Sequence, residues 1–529
     1  MKTKITVKTV AKTGSAGYLA FLQVGKLASG LLLCSLPLSQ AIWAESASWL
    51  ADPVDNNWNN PANWSIGRVP NGLDEARLGV SAISDLLITE PASVYDLVFE
   101  IDAQAFTITA QPGVSLSFAS TIYNNSTVEQ NFVATSDGSE SAAFLFNDDS
   151  TSDNTIIGPV TFTQQARNGV SGDPPLAQFT FADAGDATLH NLGASVAGGE
   201  GGLTTFFYTR TSAQNSTIIN EGATVAGAKG GHTEFDITSP DAGNATLIAN
   251  GGTNGGGGGT FSFNDGSLGA TARLEVFGNG YMDMSSHSGP SLSIGSIEGD
   301  GQIYLGKATL IVGTNSLNTT FSGVLHPGGP SGGNGSGGLS KAGTGTLTLA
   351  GANLYTNGTT VSQGALTVSN TTGSGTGTGP VNMNAGTLGG SGIIAGAVTV
   401  GTGSGSGTFL TPGIGTNKQT TLTIQSVLTF NSDATYTYTF KGNKSRVRTD
   451  LVIANGVTIN GGTIAISSSS QNRIRRGTIL TVISNTSANP ISGIFSNLPD
   501  GGIVTVNGNN LQASYSGGDG NDLTVTVVP

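Results

Sequence analysis

The sequence predicts an all-β solenoid, and three observations carry that prediction. The first is composition: Gly supplies 80 of 529 residues, charged residues 10% and hydrophobic residues 37%. A disordered chain has more charge and less apolar content, whereas short strands joined by Gly and Asn turns need this mixture. The second is a repeat. Aromatic-centred triplets recur at Phe179-Thr180-Phe181, Phe206-Phe207-Tyr208, Phe235-Asp236-Ile237 and Phe261-Ser262-Phe263. Apolar groups follow at Ala187-Thr188-Leu189, Ser216-Thr217-Ile218-Ile219, Ala245-Thr246-Leu247-Ile248 and Ala272-Arg273-Leu274. The third is punctuation: Asn191, Asn220 and Asn250 are each expected to open a Gly-rich turn. One such turn cannot bury its own apolar face; stacked turns make a continuous core. With about 25 residues per rung, the chain would make about 18–20 rungs.

Residues 1–44 stand apart. They carry Lys2, Lys4, Lys8, Lys12 and Lys26, no acid, an apolar stretch from Leu27 to Leu38, and a small residue at Ala44. This order predicts a secretory signal peptide, too short in its apolar part to span a bilayer. The single cysteine, Cys34, follows Leu33 rather than the small residue a lipoprotein signal needs, so it is expected to leave with the signal. The exported chain would then hold no disulfide and no thiolate zinc site. It would carry 16 basic against 34 acidic residues, a net charge of −18, which argues against nucleic acid as a partner. No segment from residue 45 onward approaches 18 uninterrupted apolar residues, so no membrane-spanning helix is expected.

Residues 45–120 are read as an N-terminal cap and first rungs. Trp49, Trp58 and Trp64 cluster there around the turn-rich run from Asn56 to Trp64. Exposed Trp could stack on sugars, but a repeat array needs an atypical end unit over its core, and the plug is the preferred reading. Residues 121–290 are read as Gly/Asn-rich solenoid repeats, with Phe144-Leu145-Phe146 and Thr155-Ile156-Ile157 as a degenerate early copy.

From residue 291 the pattern changes. Strands are expected at 291–299, 305–313 and 321–325, and a Gly/Ser/Pro loop from His326 to Gly338. A unit then follows that is built on Gly338, Leu339, Lys341, Gly343, Gly345, Leu347 and Leu349. It continues through Gly351, Asn353, Tyr355 and Gly358 and closes on Gly364, Leu366 and Val368. This unit resembles the autotransporter-associated β-strand repeat of Gram-negative autotransporter passenger domains. The match covers 338–368 at nearly every patterned position; one departure is Leu354, where that corner commonly has Thr. The stretch 428–495 is similar to a passenger end, through Tyr436-Thr437-Tyr438, Asp450-Leu451-Val452-Ile453, Gly461-Gly462-Thr463-Ile464 and Ser492-Gly493-Ile494-Phe495. Residues 45–80 resemble an N-terminal segment that accompanies such repeats. The resemblance implies a right-handed parallel β-helix of pectin-lyase-like architecture, displayed at the cell surface.

Motifs of chemistry are weak. Gly301-Gln302-Ile303-Tyr304-Leu305-Gly306-Lys307 matches most of a phosphate-binding loop, but Ala308 stands where Ser or Thr would bind magnesium, and a strand is expected next. Gly329-Pro330-Ser331-Gly332-Gly333 fits a nucleophile elbow without the flanking strand and helix. Gly517-Gly518-Asp519-Gly520-Asn521-Asp522 resembles one calcium nonapeptide, which needs neighbouring copies. His190, His232, His287 and His326 have no partner at metal-ligand spacing. Lys441, Lys444, Arg446 and Arg448, with Arg473, Arg475 and Arg476, form a basic zone that could meet lipopolysaccharide or another anionic polymer, a solvated face being the commoner outcome. No catalytic, cofactor-binding or metal-binding residue is therefore expected.

The expectation is an exported, non-catalytic structural or adhesive β-helix, extracellular or at the surface of a Gram-negative-type bacterium, or periplasmic if not translocated. Its partners would be surface polysaccharide or host-cell ligands. The alternative is a carbohydrate-binding or polysaccharide-degrading protein on the same scaffold, which a cleft of carboxylates with an aromatic platform would favour. Residues 496–529 offer two strand candidates, Ile503–Val506 and Leu523–Val528, expected to close the solenoid. They leave no room for an outer-membrane barrel, so a separate export machinery is expected.

Overall fold

The strands of this protein are short because its apolar residues alternate over only a few positions before a Gly, Asn or Asp interrupts them. In Leu176–Thr180, Ala177 and Phe179 point inward while Leu176, Gln178 and Thr180 point out. The computed structural model describes residues 44–147, 155–169, 171–332, 334–405, 407–414 and 419–529. The expected signal segment lies outside them, apart from Ala44. Among the described residues the sole helical element is a 3-10 turn, Pro61–Asn63, and no helix is long and apolar enough to cross a membrane.

The architecture is a parallel β-helix. Each strand pairs in parallel with the strand one turn earlier and one turn later. The longest ladder runs through seventeen strands, from Asp85–Ile88 to Ser492–Ile494, fewer than the expected number of rungs. Two features account for the difference. Successive middle rungs start at Leu176, Leu203, His232 and Thr260, so each is longer than the rung length expected. The last part of the chain also leaves the parallel register. A second ladder holds ten strands, from Ala92–Val94 to Val324–His326. The third side begins as a five-stranded ladder, Ser46–Ser48 to Ile156–Ile157. In the following rungs Gly-rich corners replace it, closing on Ala194, Ala223 and Ala228.

The change of pattern at residue 291 has a structural cause. The strand Ser291–Gly299 turns a corner: Ser291–Ile294 pair with Thr309–Val312, and Gly299 pairs with Phe321. One ladder thereby divides into two. Further on a new side forms from Ile393–Ile394, Thr421–Ile424, Leu451–Ala454 and Ile479–Asn485. At Ile479–Asn485 the direction reverses, and Asp522–Val528, Asn509–Gly517 and Ile503–Val506 add on in antiparallel fashion. Sequence reading found two of these last three strands. It missed Asn509–Gly517, although Leu511, Ala513 and Tyr515 alternate there with polar residues as in a half-buried strand.

Two columns fill the core of the middle rungs. Phe118, Phe146, Phe179, Phe206, Phe235 and Phe263 stack with ring centroids 4.8, 4.4, 4.9, 4.8 and 4.8 Å apart. That interval is the strand spacing itself, so the rings stack because the rungs do. Phe263, not Phe261, continues the column, since Phe235 lies opposite Phe263 and Thr233 opposite Phe261. The last step of the repeat therefore runs from Phe235 to Phe263, and the triplets misplace its end.

The second column corrects the reading of the asparagines. Asn191 and Asn220 are buried, inward-facing partners in register, and Ala249 occupies the next position. Asn250 is displaced from that column and donates to Glu221 instead, at 3.0 Å. At the chain's start Trp49, Trp58 and Trp64 are buried edge-to-face against one another, and Trp64 Nε1 donates to the Trp58 carbonyl at 2.8 Å.

Candidate functional site

The repeat motif builds rungs. Leu339, Leu347, Leu349, Leu366 and Val368 are all core residues. Lys341 sits in the same inward column as Val312 and Val361, and its ammonium caps the corner. It donates to the Ala342 carbonyl, to the Gly343 carbonyl at 2.9 Å and to the Gln363 carbonyl of the next rung at 3.4 Å. Burial holds it below the usual lysine range, at about 8. Asn353 joins three rungs: its Oδ1 accepts from Leu325 N at 2.9 Å and its Nδ2 donates to the Gly375 carbonyl at 2.6 Å. The hydroxyls of Tyr355 and Thr359 are hydrogen-bonded at 2.6 Å in the core. Gly343 has φ +60°, and a Cβ there would run into the carbonyl oxygen of Gly313. Gly351, Gly358 and Gly364 occupy the remaining corners. These residues position backbone and fill the core.

The chemistry-bearing side chains gather instead on the outer face of the ten-strand ladder. Parallel register stacks like positions, so one outward column reads Leu203, His232, Thr260, Tyr281 and Gln302. The neighbouring column reads Glu234, Ser262, Asp283, Tyr304 and His326. Tyr281 and Tyr304 meet edge-to-face at 5.5 Å, and Tyr304 stacks on His326 at 4.8 Å. His326 Nε2 is 2.5 Å from Gln302 Oε1, and His232 Nδ1 is hydrogen-bonded to the Thr260 hydroxyl. Asn264 donates to Glu234 at 2.9 Å. A groove of about 460 Å³ runs along the edge of this face, lined by Pro174, Leu203, His232, Thr260 and Tyr281 and floored by Gly201, Gly230 and Gly258. Glu200 and Lys229, 2.7 Å apart, stand at its rim.

The electrostatics of this face favour neutral forms. Burial, and then the Lys229 charge, push the His232 imidazole down to about 4. Burial lowers His326 too. Burial, and then Asp236 beside it, push the Glu234 carboxyl up. Burial, and then Asp283, raise Tyr281 and Tyr304. At neutral pH the face thus offers uncharged imidazoles, phenols, amides and hydroxyls around a few carboxylates. Such groups suit sugar hydroxyls and ring faces.

Other candidate motifs dissolve into structure. Gly301–Lys307 leads into a strand, Thr309–Val312. Lys307 and the Gly329–Gly332 turn line one cavity of about 640 Å³ with Ser285 and His287. His287 is already committed there, its Nε2 donating to the Ser267 carbonyl at 3.0 Å and its Nδ1 accepting from Gly289 N at 3.2 Å. Ser331 is at an exposed turn outside the lining, and Gly333 lies outside the described residues. Gly517–Asp522 is the turn of the last hairpin, with Asp522 accepting from Asn485 N at 2.8 Å. His190 is beside Glu221 at 3.1 Å, on a different face from His232 and His326. Among the described residues no three His, Cys, Asp or Glu side chains are grouped to hold a metal. Sequence reading missed the outer face because its members lie a full rung apart along the chain. The signal that could have found it is the repeat period applied to outward positions.

Comparison with known proteins agrees with the fold. Residues 339–368 match the family model described as the passenger-associated-transport-repeat, a repeat typical of exported autotransporter passenger domains. No curated protein matches the chain.

Proposed function

From a passenger repeat set within a parallel β-helix, we propose that this chain is a non-catalytic contact protein displayed outside the cell, and that the outer face of the ten-strand ladder is its binding surface for polysaccharide. The observation that carries this reading is the set His232, Tyr281, Tyr304 and His326, placed on four strands of one ladder beside a glycine-lined groove. Aromatic rings with adjacent hydroxyl, amide and carboxylate groups bind sugars along an extended lateral surface, with no deep pocket needed. The test is retention of the purified protein on immobilised neutral polysaccharides and on host-cell surface glycans. A Tyr281→Ala/Tyr304→Ala variant should lose most of that retention while keeping its fold. Unchanged retention would remove this face from the reading.

One feature favours catalysis on the same scaffold: Glu234 and Asp236 share the outer face of one strand, and Glu234 is pushed toward the protonated form. Release of reducing ends or unsaturated products from polysaccharide, abolished by Glu234→Gln, would replace the contact role with a hydrolase or lyase. The expected result is no turnover.

A further inference from the structure

Charge is divided sharply along this chain. Of its 34 acidic residues, 29 precede Lys341. Between residues 441 and 476 there are seven cations, Lys441, Lys444, Arg446, Arg448, Arg473, Arg475 and Arg476, and one acid, Asp450. The fold brings the cations together. The strand Ala434–Gly442 outruns its ladder neighbour and folds back as a hairpin, with Phe440 opposite Thr449 and Lys441 opposite Arg448. Asn443 closes the turn by accepting from Ser445 N and Arg446 N at 2.8 and 3.0 Å. Ser470 ties the second basic segment to this hairpin, donating to the Gly442 carbonyl at 3.0 Å.

All seven cations are exposed, and none forms an ion pair with a described carboxylate. Asp450, the one acid in the segment, is fully buried. Its oxygens are taken by Thr420 N at 3.0 Å, Thr439 N at 3.2 Å and the Thr439 hydroxyl at 2.6 Å. Two hollows flank the hairpin. One, of about 360 Å³, is lined by Lys441, Arg446, Arg448, Gln419, Ser470 and Asn472. The other, of about 430 Å³, has Lys444 and Arg446 on one wall and Thr478–Thr481 on the opposite one.

We infer that this hairpin is a second binding site, independent of the outer aromatic face, and that it takes a polyanionic polysaccharide. Unpaired guanidinium forks match carboxylate, sulfate or phosphate groups bidentately. The amides and hydroxyls of Gln419, Asn472, Ser470 and Thr478 suit the sugar between such groups. Single-stranded nucleic acid is disfavoured, because neither hollow has an aromatic side chain on which a base could stack. The acidic remainder of the chain would confine a polyanion to this one region.

The probes are heparin and polygalacturonate, with dextran, vesicles of phosphatidylglycerol and phosphatidylcholine, and single-stranded DNA as the alternatives. The purified chain should bind both charged polysaccharides, with affinity that falls steeply with salt. A Lys441→Ser/Lys444→Ser/Arg446→Ser/Arg448→Ser variant should lose about tenfold or more in affinity and flatten the salt dependence. Its circular dichroism and Tm should not change, because the replaced side chains are exposed and unpaired. The Tyr281→Ala/Tyr304→Ala variant should bind heparin normally, so the two sites fail or stand separately. No binding at low salt, undiminished binding by the quadruple variant, or binding to dextran, vesicles or DNA in preference to both charged polysaccharides would each overturn the inference.

Discussion

The side-chain amide of Asn191 donates to the amide oxygen of Asn220 one rung on, 2.7 Å away, inside the core. Asn220 in turn donates to the Thr260 carbonyl at 2.6 Å and accepts from the Thr233 hydroxyl at 3.0 Å, as Asn191 accepts from Thr204. The two buried amides keep their polar groups satisfied only while both are present. Asn220→Ala should therefore lower stability by about 1–3 kcal/mol, read as a shift in the urea midpoint. Combined with Asn191→Ala, the loss should be less than the sum of the two single losses.

The phenylalanine column makes a larger demand on packing. Phe206 lies between Phe179 and Phe235, stacked on them at 4.9 and 4.8 Å. Phe206→Ala should lower stability by about 3–5 kcal/mol. Because each rung contacts only its neighbours, hydrogen exchange should accelerate first at Leu176–Thr180 and His232–Asp236 and least at the chain's ends.

Lys341 gives the repeat a pH signature. Its folded pKa is about 8 against an ordinary value of 10.5. Between those values the unfolded chain binds the proton more tightly, so the stability contributed by this group rises with pH from about 8 to 10. Above 10 the trend should reverse, since burial holds the Tyr355, Tyr436 and Tyr438 phenols above their ordinary range and the unfolded chain loses those protons first. Urea midpoints measured from pH 7 to 10 should rise in the natural protein and stay flatter in Lys341→Met. At pH 7 that variant should also be less stable, because it leaves the Ala342, Gly343 and Gln363 carbonyls without their donor.

Two glycines of the same repeat should separate in their response to alanine. Gly343→Ala forces a left-handed backbone and a clash with Gly313, and should cost about 1–3 kcal/mol or more. At Gly338 a Cβ meets nothing closer than the Thr309 hydroxyl, at 3.1 Å. Gly338→Ala needs no left-handed backbone and only a small shift of the Thr309 hydroxyl, so it should cost clearly less than Gly343→Ala, and equal losses at the two positions would contradict the register described for this corner.

Period and composition were enough to set the fold class, because a repeat of short apolar strands has no way to bury them except by stacking on its own copies. The passenger repeat was legible for the same reason: Gly343, Lys341 and Asn353 answer to backbone positions within one or two rungs. Which side chains share a column was another matter, and strand register alone settled it. A small difference in corner length exchanges Phe261 for Phe263 and Ala249 for Asn250, and such differences cannot be read from spacing. The outer face of His232, Tyr281, Tyr304 and His326, and the gathering of two basic segments by one hairpin, exist only once register is set. Strand pairing places residues from successive rungs side by side, and that placement follows from corners whose lengths vary rung by rung.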